Sequence, residues 1–184
     1  MLISSFIPRV SVLAALLLAP WAHAALQVGA RAPDFKAEAA VGGKGFAFHL
    51  GAALKDGPVV LYFYPKAFTS GCTIEAHRFA EATPQFKQLG ATVIGMSNDD
   101  IDTLKKFSVE ACRNQFAVAA DAGAKVMKDY DAALRIVPGM ADRISYLITP
   151  DGRIAAVHES LSPDGHVEAM MQALQRWKAS TGKP

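Results

Sequence analysis

An unbroken run of apolar and aromatic residues, 59–64, is followed at once by Pro65. Such a run is typical of a strand that is buried on both faces, as in a parallel sheet. Pro65 cannot donate to a sheet ladder, so the strand is expected to end there. A helical pattern starts four residues later, and Thr69 is a favourable N-cap for it. The pattern therefore predicts a buried strand, a short loop and a helix.

The chain before this strand, residues 25–56, is turn-rich and is predicted to be extended. Phe46, Phe48 and Leu50 alternate with smaller or polar residues, which predicts a half-buried strand. His49 falls on the polar side of that alternation and is interpreted as a surface residue.

Beyond the first helix, apolar strands alternate with amphipathic helices. The predicted strands are residues 91–97, 116–120, 143–148 and 153–158, and the predicted helices are residues 101–112, 124–130 and a last one from near Pro163. Pro84 interrupts the first helix, which predicts a kink or a second helix there. This order fits an α/β thioredoxin-like fold, a mixed central sheet flanked by helices with an N-terminal β-hairpin extension.

Residues 1–24 differ from the rest of the chain. Arg9 is their only charged residue, and a ten-residue apolar run, too short to span a bilayer, precedes a small-x-small cleavage signal at residues 22–24. This pattern predicts a signal peptide that is cut before Ala25, one mature domain over residues 25–184 and a periplasmic location. An uncleaved anchor is the alternative; with cleavage, no membrane association is expected.

Composition and charge limit which partners and cofactors can be expected. The chain has 184 residues, 51% of them hydrophobic, and a net charge of +2, which gives no reason to expect a nucleic-acid partner. Its two cysteines, Cys72 and Cys112, form no C-x-x-C motif, and its histidines show no metal-ligand spacing. We therefore expect no metal and no organic cofactor.

Cys72 is the candidate catalytic residue. If Thr69 caps the helix, Cys72 is its third residue and lies among unpaired N–H groups at the positive end of the helix dipole. Helix N-termini favour the thiolate form of cysteine. The alternative interpretation is a small, buried and inert residue.

The motif Pro65-x-x-x-Thr69-x-x-Cys72 after a hydrophobic strand resembles the active-site signature of peroxiredoxins in the AhpC/TSA superfamily. The segments at residues 62–66 and 71–73 are similar to the bacterioferritin comigratory protein, or peroxiredoxin Q, branch. Residues 32–35 resemble the family's N-terminal motif, and Arg143 begins a segment that resembles its arginine-bearing strand.

The resemblance implies a role for each matching residue. Cys72 would be the peroxidatic cysteine, whose thiolate attacks the peroxide and becomes a sulfenic acid. Thr69 would form hydrogen bonds to the thiolate and the peroxide, and Pro65 would shield the site from water. Arg143 would stabilise the thiolate and the leaving oxygen, oriented by Glu75. Backbone N–H groups of the first helical turn would bind the oxygens.

The second cysteine leaves two interpretations open. Many members of this branch carry a resolving cysteine five residues after the peroxidatic one, but here that position is His77. Cys112 is then the remaining candidate to close a disulfide with Cys72. The alternative is that Cys112 is a buried, inert thiol.

The predicted function is a thiol-dependent peroxidase that reduces hydrogen peroxide or organic hydroperoxides. Its expected partners are the peroxide and a thioredoxin-like or other dithiol reductant, and the expected state is a monomer. The competing hypothesis is a non-catalytic domain with a structural disulfide between Cys72 and Cys112. A disulfide reductase would need a second cysteine at residue 75, which is Glu75. A copper chaperone would need one at residue 76, which is Ala76.

Overall fold

The computed structural model describes residues 25–182, so the predicted signal peptide lies outside the described residues. The strands are β1 (Lys36–Val41), β2 (Lys44–His49), β3 (Val59–Phe63), β4 (Thr92–Ser97), β5 (Ala117–Ala120), β6 (Ile144–Ile148) and β7 (Ile154–Glu159). The helices are α1 (Leu50–Asp56), α2 (Ser70–Gln88), α3 (Ile101–Glu110), α4 (Lys125–Asp129) and α5 (His166–Thr181).

The strands form one mixed sheet in the order β2-β1-β5-β4-β3-β6-β7. β3, β4 and β5 are parallel, whereas β6 pairs antiparallel with β3 and with β7. β1 and β2 form an antiparallel hairpin, and β1 joins the sheet beside β5. The predicted thioredoxin-like fold with an N-terminal hairpin is therefore confirmed.

β3 is buried along its whole length because helices cover both faces of the sheet. Its alternate residues Val59, Leu61 and Phe63 belong to the core on one face, which also includes residues of α1 and α4. Val60 and Tyr62 belong to the core on the other face, with residues of α2, α3 and α5. A strand with apolar residues at every position is what two covered faces require.

An aromatic stack supports α2 on the sheet. The rings of Tyr62 and Phe79 lie 4.3 Å apart between their centroids and are nearly parallel. Gly95 of β4 pairs with Tyr62, and a Cβ atom at Gly95 would lie 2.7 Å from that ring. The absence of a side chain at residue 95 thus lets the Tyr62 ring lie over β4 and pack against Phe79 of α2.

The structure corrects the prediction for residues 25–56 at one place. Leu50 is not the end of a strand but the first residue of α1, a seven-residue helix that ends before Gly57. The apolar alternation of β2 continues into Leu50, and a helix of two turns has too few positions to show its own period.

Three boundaries also differ from the sequence-based expectation. α2 continues through Pro84 without dividing into two helices. α3 ends at Glu110, so Cys112 lies beyond the helix and not in its last turn. α5 begins at His166 and not near Pro163. Within residues 25–182, no helix combines the length and the apolar character needed to cross a bilayer.

Candidate active site

The loop between β3 and α2 is fixed by the end of the neighbouring strand. The strand ladder ends at Tyr64, whose N–H donates to the carbonyl of Met96 (3.1 Å). In the loop, the Ala67 N–H donates to Oδ2 of Asp99 (2.8 Å), and the same oxygen accepts from Oγ of Ser97 (2.8 Å). Asp99 therefore ties the loop that leads to Cys72 to the end of β4.

Thr69 is the N-cap residue of α2, as predicted, with extended backbone angles. Its hydroxyl does not cap the helix but donates to the carbonyl of Lys66 (2.9 Å), while its own carbonyl accepts from the Thr73 N–H (2.9 Å). Cys72 is accordingly the third helical residue, in the turn whose N–H groups have no partner within the helix. The hydrogen bond from Thr69 to a thiolate or a peroxide stays a prediction.

Arg143 reaches the sulfur of Cys72 from the adjacent strand. It lies directly before β6, whose first residue, Ile144, pairs with the last residue of β3. Its Nη2 lies 3.5 Å from Sγ of Cys72, and both residues are buried. A Cβ atom at Gly71 would lie 3.3 Å from Nη2, so the glycine leaves room for the guanidinium beside the first helical turn.

The other two nitrogen atoms of the guanidinium also have hydrogen-bond partners. Nη1 of Arg143 donates to Oε2 of Glu75, and Nε donates to the carbonyl of Leu161 (3.1 Å). Glu75 lies one turn beyond Cys72 on the same buried face of α2. The arginine is thus held on three sides, with one nitrogen aimed at the sulfur.

Burial and charge oppose each other in this ion pair. Burial raises the pKa of Glu75 to about 7, although the charge of Arg143 acts in the opposite direction. Burial acts to lower the pKa of Arg143, but the charges of Glu75 and Cys72 outweigh it and raise that pKa. The arginine is therefore a permanent positive charge beside the thiol.

The predicted site residues are not all brought together. Cys72, Glu75 and Arg143 form one contact network. Pro65 is half-buried where the loop begins, and its shielding of the site stays a prediction. Cys112 makes no hydrogen bond to this network among the described residues, although it belongs to the same core cluster as Cys72.

Cys112 lies in a tight turn after α3. Its N–H donates to the carbonyl of Phe107 (3.0 Å), and the next two residues, Arg113 and Asn114, both have left-handed backbone angles (φ 50° and 59°). Its side chain is fully buried, and burial raises the pKa of the thiol far above its usual value. Both cysteines are free thiols.

The structure adds three residues that the sequence did not single out. Asp99 is the first of them, and its neighbour Asp100 is the residue that caps α3. Ser160 and His166 flank the loop between β7 and α5, and the Ser160 N–H donates to the carbonyl of Arg143 (3.2 Å). No motif marks Ser160 and His166, since their positions become meaningful only once α5 is packed on the sheet.

The arrangement places a buried thiol, an arginine and the N–H groups of a helix terminus around one point. Such a set can stabilise a thiolate and the charge on a departing oxygen. Among residues 25–182 there is no cluster of three or more histidine, cysteine or acidic side chains that could hold a metal ion.

Comparison with known proteins identifies the family. The AhpC/TSA family model matches residues 28–157. The chain belongs to the AhpC/TSA family. It is 33% identical over 122 residues to a chloroplastic peroxiredoxin Q of Suaeda salsa, covering 66% of this chain and 56% of that protein. It is 31% identical over 125 residues to the corresponding protein of Sedum lineare, with 67% of each chain covered.

The backbone also matches a solved structure over nearly the whole length of the solved chain. Peroxidoxin BcpB from Mycobacterium tuberculosis matches with a TM-score of 0.74 and 30% identity, over 82% of this chain and 97% of that one. The predicted resemblance to peroxiredoxins of the Q branch is thus confirmed. The chain spans little more than half the length of the first curated AhpC/TSA relatives that it matches.

Proposed function

We propose that this protein is a thiol-dependent peroxidase with Cys72 as its reactive residue. The observation that carries the proposal is the 3.5 Å contact between Nη2 of Arg143 and Sγ of Cys72 in the first turn of α2. Membership in the AhpC/TSA family and the similarity to peroxiredoxin Q support it.

In the first step, the thiolate of Cys72 attacks the peroxide. A bond forms between sulfur and one oxygen while the O–O bond breaks, so the sulfur is oxidised by two electrons to a sulfenic acid. The second oxygen leaves as hydroxide or alkoxide and takes up a proton to give water or an alcohol. Arg143 and the N–H groups of Gly71 and Cys72 supply the hydrogen bonds that this departing charge needs.

In the second step, the thiol of Cys112 attacks the sulfenic acid, a disulfide forms and water leaves. A disulfide requires Cα atoms within about 7 Å, and burial keeps Cys112 protonated and away from solvent. The turn after Cys112 supports an opening movement, because a left-handed conformation costs a residue with a side chain about 1–2 kcal/mol. Arg113 and Asn114 would both give up that conformation when the turn opens.

The cycle then requires a dithiol reductant of the thioredoxin type, which reduces the disulfide by thiol–disulfide exchange. Reduction at the protein surface does not need a second subunit, and we propose a monomer. The competing hypothesis of a non-catalytic domain with a structural disulfide is disfavoured by the match to the AhpC/TSA family and by the similarity to peroxiredoxin Q.

We also propose export to an oxidising compartment, on the strength of the apolar segment and cleavage signal in residues 1–24. Mass spectrometry of the protein from fractionated cells tests it. A mature N-terminus at Ala25 in the exported fraction supports the proposal, and a full-length chain in the cytoplasm contradicts it.

Turnover of hydrogen peroxide with dithiothreitol tests the function. Cys72→Ser should abolish turnover. Cys112→Ser should keep the first oxidation of Cys72 and lose the intramolecular disulfide. If wild type and Cys72→Ser consume peroxide equally, the peroxidase proposal is wrong; if Cys112→Ser leaves an unchanged disulfide-dependent cycle, Cys112 is not the resolving residue.

A further inference from the structure

Behind the arginine lies a buried polar cluster that the peroxidase chemistry above does not use. It consists of Glu75 on α2, Ser145 on β6, His158 on β7 and His166 at the start of α5. Glu75, Ser145 and His166 are completely buried. Oε1 of Glu75 lies 3.7 Å from Nδ1 of His166, and the rings of His158 and His166 pack edge to face with centroids 4.5 Å apart. The cluster therefore continues the network from Arg143 through Glu75 to α5.

The hydrogen bonds of His166 define its protonation state. Nε2 of His166 faces the carbonyl of Ser160 (3.1 Å), which can only accept, so this nitrogen carries a hydrogen. Nδ1 lies 2.8 Å from Oγ of Ser145, which donates to it when the ring is neutral. Burial favours the neutral ring and, with the nearby His158 and Arg143, lowers the pKa of His166 to about 4.

A neutral His166 leaves one oxygen of Glu75 without a donor. Oε2 accepts from Arg143, but Oε1 is buried and has no hydrogen-bond partner among the described residues. Nδ1 of His166, which accepts from Ser145, lies 3.7 Å from Oε1 and presents no hydrogen to it. A buried carboxylate oxygen without a donor is costly when it carries charge, and the nearby lone pair of Nδ1 adds repulsion, so both effects favour a proton on Oε1.

The charged and titratable groups around Glu75 come from five elements. Cys72 precedes it on α2, and Arg143 contacts it from the start of β6. His166 faces it from α5, and His158 of β7 packs against His166. Tyr62 of β3 is near enough for the charge of Glu75 to act on its hydroxyl, after burial, in raising the pKa of that tyrosine. Arg143 is the only one of these neighbours with a positive charge that does not depend on pH near neutrality. The net charge of the cluster therefore depends on whether Glu75 carries a proton.

We propose that Glu75 and His166 hold a single buried proton on Oε1 of Glu75, which makes His166 a positioning residue that sets the charge opposing Arg143. With the proton in place, Arg143 faces a neutral carboxyl group and its whole charge acts on Cys72 and the departing oxygen. When the proton leaves, Glu75 becomes a carboxylate that competes with Cys72 for the guanidinium. This inference rests on the proposed peroxidase function only for its effect on rate.

The first test measures stability and does not depend on activity. Between about pH 4.5 and 6.5 an unfolded chain carries Glu75 ionised and His166 protonated, whereas the folded chain reverses both. The raised pKa of Glu75 makes stability fall as pH rises, and the lowered pKa of His166 makes it rise, so the two effects cancel in the wild type.

Single variants should break this cancellation with opposite signs. Urea unfolding across pH 4.5–6.5 is measured for Glu75→Gln and His166→Asn, each against the wild type. Relative to wild type, the ratio of folded to unfolded Glu75→Gln should increase with pH, by up to about tenfold per pH unit, and that of His166→Asn should decrease. His77→Asn, a histidine of α2 outside the cluster, should follow the wild type. Equal slopes in all four proteins would overturn the proposal.

The second test reads the effect on Cys72. Stopped-flow oxidation by hydrogen peroxide should slow about threefold or more in wild type as pH rises through about 7, where Glu75 loses its proton. Glu75→Gln should lack this inflection, and His166→Asn should shift it to lower pH, since an amide can donate to Oε1. An inflection that persists in Glu75→Gln would contradict the assignment. If no protein reacts with peroxide while the stability slopes still differ in sign, the peroxidase proposal fails and the shared proton stands.

Discussion

The two cysteines of this protein are equally buried but lie in opposite electrostatic surroundings. Cys72 is 1% exposed and Cys112 is 0% exposed, so access to solvent does not distinguish them. Cys72 lies in the first turn of a helix with the guanidinium of Arg143 3.5 Å away. Cys112 lies beyond the end of a helix, among apolar and aromatic residues that include Phe107 and Phe116.

This difference shows that burial alone does not decide whether a thiol is inert. Burial without a compensating charge raises the pKa of Cys112 far above its usual value. At Cys72, by contrast, the positive charge of Arg143 and the positive end of a helix dipole lie beside the sulfur. The reactivity of each sulfur therefore depends on its neighbours, and the following substitutions change those neighbours or the loop that positions Cys72.

Arg143→Ala should have the largest effect, because it removes the positive charge that Cys72 has beside it and Cys112 lacks. The rate constant for Cys72 oxidation should fall about 10²–10³-fold, the range for loss of one preorganised donor. Stopped-flow mixing with hydrogen peroxide measures it, and Arg153→Ala, an exposed arginine away from the site, serves as the control. An unchanged rate would show that Arg143 has no part in the reaction.

Asp99→Ala should disturb the loop that leads to Cys72. It leaves the Ala67 N–H and the Ser97 hydroxyl without their shared acceptor, which should cost about 1–3 kcal/mol in the free energy of unfolding. A loosened loop should also reduce the oxidation rate about tenfold. Urea unfolding and stopped-flow kinetics are compared with Asp102→Ala, which changes an exposed carboxylate of α3. Equal behaviour of the two variants would refute this role of Asp99.

Thr69→Val should test the hydroxyl at the helix N-cap. The change keeps the shape of the side chain and removes the hydrogen bond to the Lys66 carbonyl, so the oxidation rate should fall about tenfold. Thr69→Ser keeps the hydroxyl and should stay close to wild type. A slow Thr69→Ser beside a fast Thr69→Val would contradict a role for the hydroxyl.

Gly71→Ala should give the smallest effect, with opposite signs for rate and stability. The added Cβ lies 3.3 Å from Nη2 of Arg143 and should displace the guanidinium slightly, which lowers the oxidation rate about threefold. Alanine within a helix is favoured over glycine by about 0.5–1 kcal/mol, so the unfolding free energy should rise by up to that amount. A faster reaction would mean that the arginine is not constrained at this point.

Much of the fold follows from local patterns in the sequence. The apolar run of β3, the proline after it and Thr69 before the helix are adjacent in the chain, so they fix the position of Cys72 in α2 without tertiary information. Arg143 and Glu75 could be assigned through the family resemblance, and their contact confirms that the chain brings them together.

The remaining features depend on contacts between distant segments. α1 is too short to show a helical period, and the end of α3 is set by the turn at Arg113 and Asn114, whose left-handed conformations no pattern predicts. His166 meets Glu75 across 91 residues of chain only because α5 packs beside α2. Polar pairs of this kind carry no periodic signal.

The different reactivity of the two thiols is tested most directly by oxidising them in one molecule. The reduced protein is exposed briefly to less than one equivalent of hydrogen peroxide, a sulfenic-acid trap is added, and mass spectrometry measures oxidation at each cysteine. Cys72 should be oxidised first, and it should appear as a trapped sulfenic acid in Cys112→Ser and as a disulfide with Cys112 in the wild type. Oxidation that begins at Cys112, or that leaves Cys72 as a free thiol, would contradict it.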